Sequence, residues 1–326
     1  MPAIITHDSF GQELYKELYS FIGEGRDEYN AFLIGNQGPD PLFYSALVPR
    51  LQSLINFGSQ MHREKPNEIL LAFKQSLSIL SESEYLIGRA YMLGFVCHYL
   101  LDSNMHPLVY FNEYRLCDAG VEGLDRKNAA EIHATIESEL DELVLYTKRG
   151  VTIAEFDPAT QILRGSDFVL DTISKMYSYM AMVVFGMVLP ERSFSSALKS
   201  FRRTERIFSS PLGIKRELLG RIEEMVRPYS FVRSMSPRAL AVTENSFDNH
   251  EHATWENPYT KETSSKGFWD IYYETLAKAH DAFDVIDAEE FNLNAAQSIT
   301  YDLDFSGNYT VASITVEDTE KGDQSV

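Results

Sequence analysis

Apolar residues return every three or four positions along most of this chain, the period of an amphipathic helix rather than of a strand. Leu14, Leu18, Phe21 and Ile22 mark a helix over residues 11–22, and a shorter one is expected over 27–34. The segment GNQGPDP at 35–41 breaks the pattern with two glycines and two prolines. Helical spacing resumes over 44–61 and 66–80. It is strongest from about 83 to 106, through Leu86, Ile87, Ala90, Leu93, Gly94, Cys97 and Leu101, with Pro107 marking the expected end. A second strong helix is expected over 126–147, closed by Lys148, Arg149 and Gly150. Further helices follow at 166–189, 194–209, 212–226 and 267–284, punctuated by Pro190, Pro211 and Pro228. Phe168, Tyr177, Tyr179 and Phe185 fall in these stretches and read as core. Residues 228–266, rich in Pro, Ser, Asn and Thr, read as a long loop or a set of turns. TVASITV at 310–316 is β-prone, but one such run cannot make a sheet. The pattern therefore predicts an all-α, multi-helix bundle as one domain over 1–291. An irregular acidic tail or single edge element is expected over 292–326.

Composition narrows the class. A chain of 326 residues, 44% hydrophobic, can bury a substantial core. Two cysteines, Cys97 and Cys117, rule out a disulfide scaffold and fit reduced thiols in the cytoplasm. Cys97 reads as buried and structural. The start, MPAIITHDSFGQEL, has no basic segment leading into a long apolar one, so no signal peptide is expected and the expected location is cytoplasmic. The most apolar run, Tyr177 to Leu189, has 13 residues and stops at Pro190, which reads as a core helix and not a membrane span. Forty-eight acidic against 29 basic side chains give a net charge of -19. Binding duplex nucleic acid needs a concentrated basic surface, and the one local basic cluster of note surrounds Arg202, Arg203 and Arg206. No specific nucleic-acid partner is expected.

Histidine placement carries the chemistry. Five of the eight histidines lie within residues 7–133: His7, His62, His98, His106 and His133. His98, Asp102 and His106 follow one another at intervals of four. Four residues advance a helix by about 400°, so the three side chains line one face. His133 and Glu137 repeat the interval on the next strong helix. Packed together, the two helices would bring imidazoles and carboxylates into one cleft. Zinc takes such nitrogen and oxygen ligands in sites of about four, and a carboxylate such as Asp102 has an oxygen for each of two ions. Paired ions about 3.5–4 Å apart can activate water and stabilise a leaving phosphate oxygen. Taken singly, each group has a plainer reading. His133 and Glu137 could form a surface pair, and His98 could be a neutral core histidine bonded to Asp102, an acid costly to bury alone. The short-spacing groups together favour metal. His250, His252 and His280 show no comparable spacing. The polar segment HEHATWENP at 250–258 is either a packed surface loop or a cover for the cleft. No G-x-S-x-G occurs, so a nucleophilic serine is not indicated.

At ITH, NQGPDPLFY, HYLLDSNMHP and HATIE the chain resembles the zinc-dependent phospholipase C superfamily, which also contains the S1/P1-type nucleases. The resemblance spans roughly residues 1–140 and rests on the ordered series His7, Asp40, His62, His98, Asp102, His106, His133, Glu137. It implies an all-helical hydrolase of phosphoester bonds with up to three zinc ions. The first would take Asp40, His62, His98 and Asp102, and the second His106, His133 and Glu137. The third would take His7, with Asp102 bridging. It also places Asp40 near the attacking water as a catalytic residue. Apart from the resemblance, Asp40 reads as a turn aspartate in GPDP and His62 as an exposed helix-end histidine. Secreted members complete the third site with a terminal tryptophan, whereas this chain begins Met1–Pro2–Ala3 and is closest to the cytoplasmic members. Two or three zinc ions per chain are therefore implied. The implied substrate is a phosphoester, first of all a lipid-derived one. A nuclease or 3′-nucleotidase, or a metal-binding protein with little catalysis, are the alternatives.

Overall fold

The computed structural model describes residues 4–47, 53–120, 125–208 and 247–310. The helix expected at 212–226 and nearly all of the β-prone run at 310–316 lie outside these residues. Among the described residues the regular elements are helices, apart from one small two-stranded sheet.

Helix α5, Glu82–Cys117, is the axis of the molecule. It starts at a capping box: Glu84 Oε2 accepts from the Ser81 N–H at 3.0 Å and from its hydroxyl at 2.8 Å. It does not end at Pro107 but runs on for ten residues. An interior proline deletes one hydrogen bond and costs about 3 kcal/mol. Burial of Leu108 and Val109, at 1% and 2% exposure, returns roughly 1.5–3 kcal/mol each. Tertiary packing thus overrides the local stop signal.

The other helices in chain order are α1 (Ile4–Ile22), α2 (Arg26–Gly35), α3 (Ser53–Met61), α4 (Pro66–Ser76), α6 (Ala129–Arg149), α7 (Pro158–Gln161), α8 (Asp167–Phe185), α9 (Ser193–Phe208), α10 (Phe268–Asp287) and α11 (Leu293–Thr300). A 3-10 helix over Asp40–Leu47 fills the first part of the segment expected as helix over 44–61. Helix α1 starts earlier than its apolar spacing indicates. Asp141 of α6 accepts from the N–H groups of Ile5 (3.0 Å) and Thr6 (2.8 Å) and from the Thr6 hydroxyl (2.6 Å), satisfying donors that a helix start leaves free.

Helices α2 and α5 touch backbone to backbone. A Cβ at Gly94 would come within 2.1 Å of the Phe32 carbonyl oxygen, and one at Gly35 within 2.4 Å of that of Tyr91. This close crossing sets the carboxyl end of α2 against His98. Helix α8 is the one described helix long and apolar enough to cross a membrane, but 50% of that window is buried in the protein. Tyr177 is fully buried in its core, whereas Phe168, in its first turn, is 45% exposed and faces solvent. Periodicity placed it on a helix but could not say which side is covered.

The strands β1 (Trp255–Glu256) and β2 (Thr263–Ser264) pair antiparallel, and Trp255 is buried beside Phe111 of α5 at 5.9 Å between ring centres. Residues 292–310 differ from the irregular tail expected there. They contain α11 and then a turn whose Phe305 is 1% exposed, with its N–H donating to the His62 carbonyl at 3.1 Å. Tyr99 of α5 fastens this turn by donating to the carbonyls of Thr300 (3.0 Å) and Leu303 (2.7 Å).

Candidate metal centre

All eight residues picked out along the sequence meet in one place. His98, Asp102 and His106 project from α5, and His133 and Glu137 from α6. His7 comes from α1, Asp40 opens the 3-10 helix, and His62 follows α3. They form two connected groups. In the first, Asp102 faces His7 Nε2 at 3.1 Å and His98 Nε2 at 3.3 Å, while Asp40 Oδ1 lies 3.1 Å from His62 Nε2 and 3.9 Å from His98 Nε2. In the second, Glu137 Oε1 lies 3.5 Å from His106 Nε2 and 3.4 Å from His133 Nε2. Asp102 Oδ2 also stands 3.9 Å from His106 Nδ1, so this carboxylate joins the groups. Three ligand triads come within 4.8 Å: His7, Asp40 and His98; His62, His98 and Asp102; His106, His133 and Glu137.

The outer sides of the rings decide what the inner sides can do. His62 Nδ1 meets the Gly58 carbonyl at 2.7 Å, His98 Nδ1 that of Asn36 at 3.2 Å, and His106 Nδ1 that of Phe305 at 2.6 Å. His133 Nδ1 meets the Glu113 carboxylate at 2.9 Å. A carbonyl oxygen can only accept, so Nδ1 carries the hydrogen in each of the first three rings. In the neutral imidazole Nε2 is then a lone pair aimed inward, the arrangement metal-binding histidines show. Among the described residues the buried Nε2 of His98, although 3.3 Å from Asp102 Oδ2, and the buried Nδ1 of His7 have no hydrogen-bond partner. Such orphaned polar atoms are costly unless something fills the gap. A cavity of about 30 Å³ borders His7, Asp102, His106 and Glu137, and its other walls are largely the apolar side chains of Leu101, Met105, Val109, Leu140 and Phe268.

Electrostatics agree with this donor set. Burial alone would raise the carboxyl pKa values of Asp40, Asp102 and Glu137. At Asp40 and Asp102 the facing imidazoles outweigh it and hold both carboxyls below the ordinary carboxylate range, and Glu137 also lies below it. Burial pulls His106 down, but Asp102 and Glu137 overcome it and raise the ring to about 9. His98 is fully enclosed, and burial wins there, lowering it to about 4. Without a cation the cluster therefore holds protons between carboxylates and imidazoles, and a divalent ion can take their place. Side-chain exposures of 17% for Asp40, 16% for His62, 14% for His106 and 15% for His133, against none for His98, put those four on the rim that solvent reaches.

Local packing fixes these positions. Gly38 has φ of +49°, and a Cβ there would come within 2.1 Å of the His98 ring. Its carbonyl accepts from the Tyr177 hydroxyl at 3.1 Å, and that hydroxyl accepts from Tyr91 at 2.9 Å. His62 sits between Phe43 and Phe305, at 5.0 and 4.9 Å between ring centres.

Three contributors escaped the sequence reading: Glu113, the carbonyl of Phe305, and Asp141, which anchors the start of α1. Glu113 lies seven residues beyond His106, two turns along the same face, so its spacing was a usable signal once the helix continues past Pro107. Nothing local marks the other two. His250, His252 and His280 stand apart, facing Asp248 (2.8 Å), Asp270 (3.3 Å) and Glu17 (3.3 Å). The 250–258 segment is packed through Trp255. Just beyond it, Tyr259 reaches Tyr110, whose ring centre is 4.8 Å from that of His133.

An all-helical scaffold that gathers five imidazoles and three carboxylates fits a zinc-binding hydrolase. The chain belongs to the zinc-dependent phospholipase C family, whose sequence model matches residues 6–186. Neither a curated protein nor a solved structure matched the chain.

Proposed function

We propose that this protein is a zinc-dependent phosphoesterase acting first on phospholipase C-type substrates, the phosphodiesters of lipid headgroups. The observation that carries the reading is the set of outward Nδ1 hydrogen bonds that turns the Nε2 atoms of His62, His98, His106 and His133 toward the carboxylates. Asp40, His62, His98 and Asp102 would hold one ion, His106, His133 and Glu137 a second, and His7 with Asp102 a third. When bound, such ions supply Lewis acidity and a water acidic enough to attack near neutral pH. The chain's own residues orient that chemistry. Asp40 turns Oδ1 toward His62 and His98 and is the candidate acceptor, at its other oxygen, for the proton of the attacking water. Glu113 holds the His133 ring in place, and the partly exposed rim admits the phosphoester. The free, buried thiols of Cys97 and Cys117 accord with a cytoplasmic location, which is part of the same proposal.

The nucleotidase reading has one observation in its favour. Tyr110 lies against both His106 and His133, at 5.7 and 4.8 Å between ring centres, where a base could stack. Zinc-loaded protein should be offered a soluble aryl phosphodiester of choline, a short-chain phosphatidylcholine and a 3′-nucleotide. Hydrolysis of the first two supports the lipid reading. Cleavage of the nucleotide alone transfers the assignment to the nucleotidases. Tight zinc binding with no turnover leaves a metal-binding protein and overturns the enzyme.

A further inference from the structure

A second chemically distinctive place lies at the far end of α2. The first turn of α2, the segment between α7 and α8 and the second half of α9 enclose a surface cavity of about 560 Å³, within the range of small-molecule sites. Arg26, Arg164, Arg202 and Arg206 line it, and none of the eight candidate metal ligands does. Helix α2 starts at this cavity and ends against His98. Its ten residues put the two sites on the order of 15 Å apart.

The charge here runs against that of the whole chain, which is -19. Among the described residues none of the four guanidinium groups forms an ion pair within 4.0 Å. Arg164 Nε donates to the Thr160 carbonyl at 2.8 Å, and Arg202 donates to the carbonyls of Leu163 and Gly165. These bonds aim the guanidinium groups without neutralising them. Asp27 is the one acid among the lining residues, and it accepts from the Ser166 hydroxyl at 3.4 Å. The nearby acid of α8, Asp167, is taken by Lys199 at 2.6 Å. Burial, and after it the charge of Arg206, lowers the pKa of Arg202, so these two cations feel one another. Helices α2 and α8 both begin at the cavity, but Asp27 and Glu28 in the first turn of α2 and Asp167 in that of α8 already offset the positive ends of their dipoles, so the guanidinium groups carry the charge.

We propose that this cavity is an anion site for a phosphomonoester, separate from the metal centre. Planar guanidinium forks match phosphate oxygens two at a time. Four of them suit the nearly double negative charge of a phosphomonoester better than the single charge of a carboxylate. The phosphomonoester is either that of a soluble small molecule or that of an anionic lipid headgroup.

The test is calorimetric titration of the zinc-loaded full chain with glycerol 3-phosphate. Because the metal centre also attracts phosphate, Asp102→Asn is titrated in parallel. A saturable site that persists in Asp102→Asn is expected. The Arg164→Gln/Arg206→Gln pair should weaken it by about tenfold or more, the loss of at least one charge-assisted bond. Arg206→Gln alone, at an exposed position, should weaken it less while melting as the parent does. Co-sedimentation with phosphatidylcholine vesicles containing phosphatidic acid separates the sources. Pelleting that the arginine variants abolish assigns the headgroup, and no pelleting with saturable glycerol 3-phosphate binding assigns the soluble ligand. Absence of a saturable site in Asp102→Asn, or unchanged affinity in the arginine variants, overturns the proposal.

Discussion

Glu113 accepts a 2.9 Å hydrogen bond from His133 Nδ1, two helical turns beyond His106 on the same face of α5. The bond ties the two helices that carry the second ligand group and fixes which nitrogen of His133 faces Glu137. Glu113→Gln keeps the size and removes the charge. Zinc affinity at the His106, His133 and Glu137 group is expected to fall about 10- to 100-fold, as when such outer partners are lost. Competition titration with a zinc chelator measures this, and excess zinc should restore turnover in the variant. Unchanged affinity would remove Glu113 from the site.

Gly38→Ala tests how the first group is positioned. The new methyl group would need a left-handed backbone and would collide with the His98 ring. A strained conformation of this kind costs about 1–3 kcal/mol, and moving His98 disturbs Asp40, His62 and Asp102 with it. A lower melting temperature together with lower zinc content is expected, read by thermal unfolding and elemental analysis of the same sample. Retention of the parent's zinc content would show that the ring has room to move.

The metal-free protein should respond to pH in two opposite directions. His106 has its pKa raised from 6.5 to about 9, since Asp102 and Glu137 outweigh burial. Its contribution to stability is complete below 6.5 and is lost as pH rises through about 9. Burial lowers His98 from 6.5 to about 4, so its contribution is present above 6.5 and is lost as pH falls through about 4. Zinc must displace the His106 proton, so the stabilisation zinc adds should grow between pH 6.5 and about 9. Melting curves with zinc and with chelator across this range check the sign. A zinc effect that shrinks as pH rises would contradict it.

Much of the site was legible because a helix writes its faces into sequence spacing. The four-residue interval puts His98, Asp102 and His106 on one face, and likewise His133 and Glu137, and only the groups taken together favour metal over a plain surface or core pair. His7 and His62 are marked only by falling among the five histidines of residues 7–133 and Asp40 by nothing local, and it is the family resemblance that makes ligands of them. Their convergence depends on the turn around Gly38 and on α1 being anchored by Asp141, a contact spanning more than 130 residues. Pro107 is a local stop signal blind to the burial of Leu108 and Val109, and a helix ended there leaves out Glu113 and Tyr110. The turn ending in Phe305 looked like tail, since neither the long-range bond from its N–H to His62 nor the one from His106 to its carbonyl leaves a trace in periodicity.

Asp102 is the point on which the central claim turns, because its two oxygens face His7, His98 and His106 and join both ligand groups. The most direct measurement is zinc stoichiometry against phosphodiester turnover, on the same samples of parent and Asp102→Asn, before and after chelation. The parent should hold two or three zinc ions, lose turnover with them and regain both on zinc addition. Asp102→Asn should stay folded, bind less zinc and turn over at least about 100-fold more slowly. A parent that keeps its activity without zinc, or an Asp102→Asn variant with the parent's stoichiometry and rate, would contradict the account.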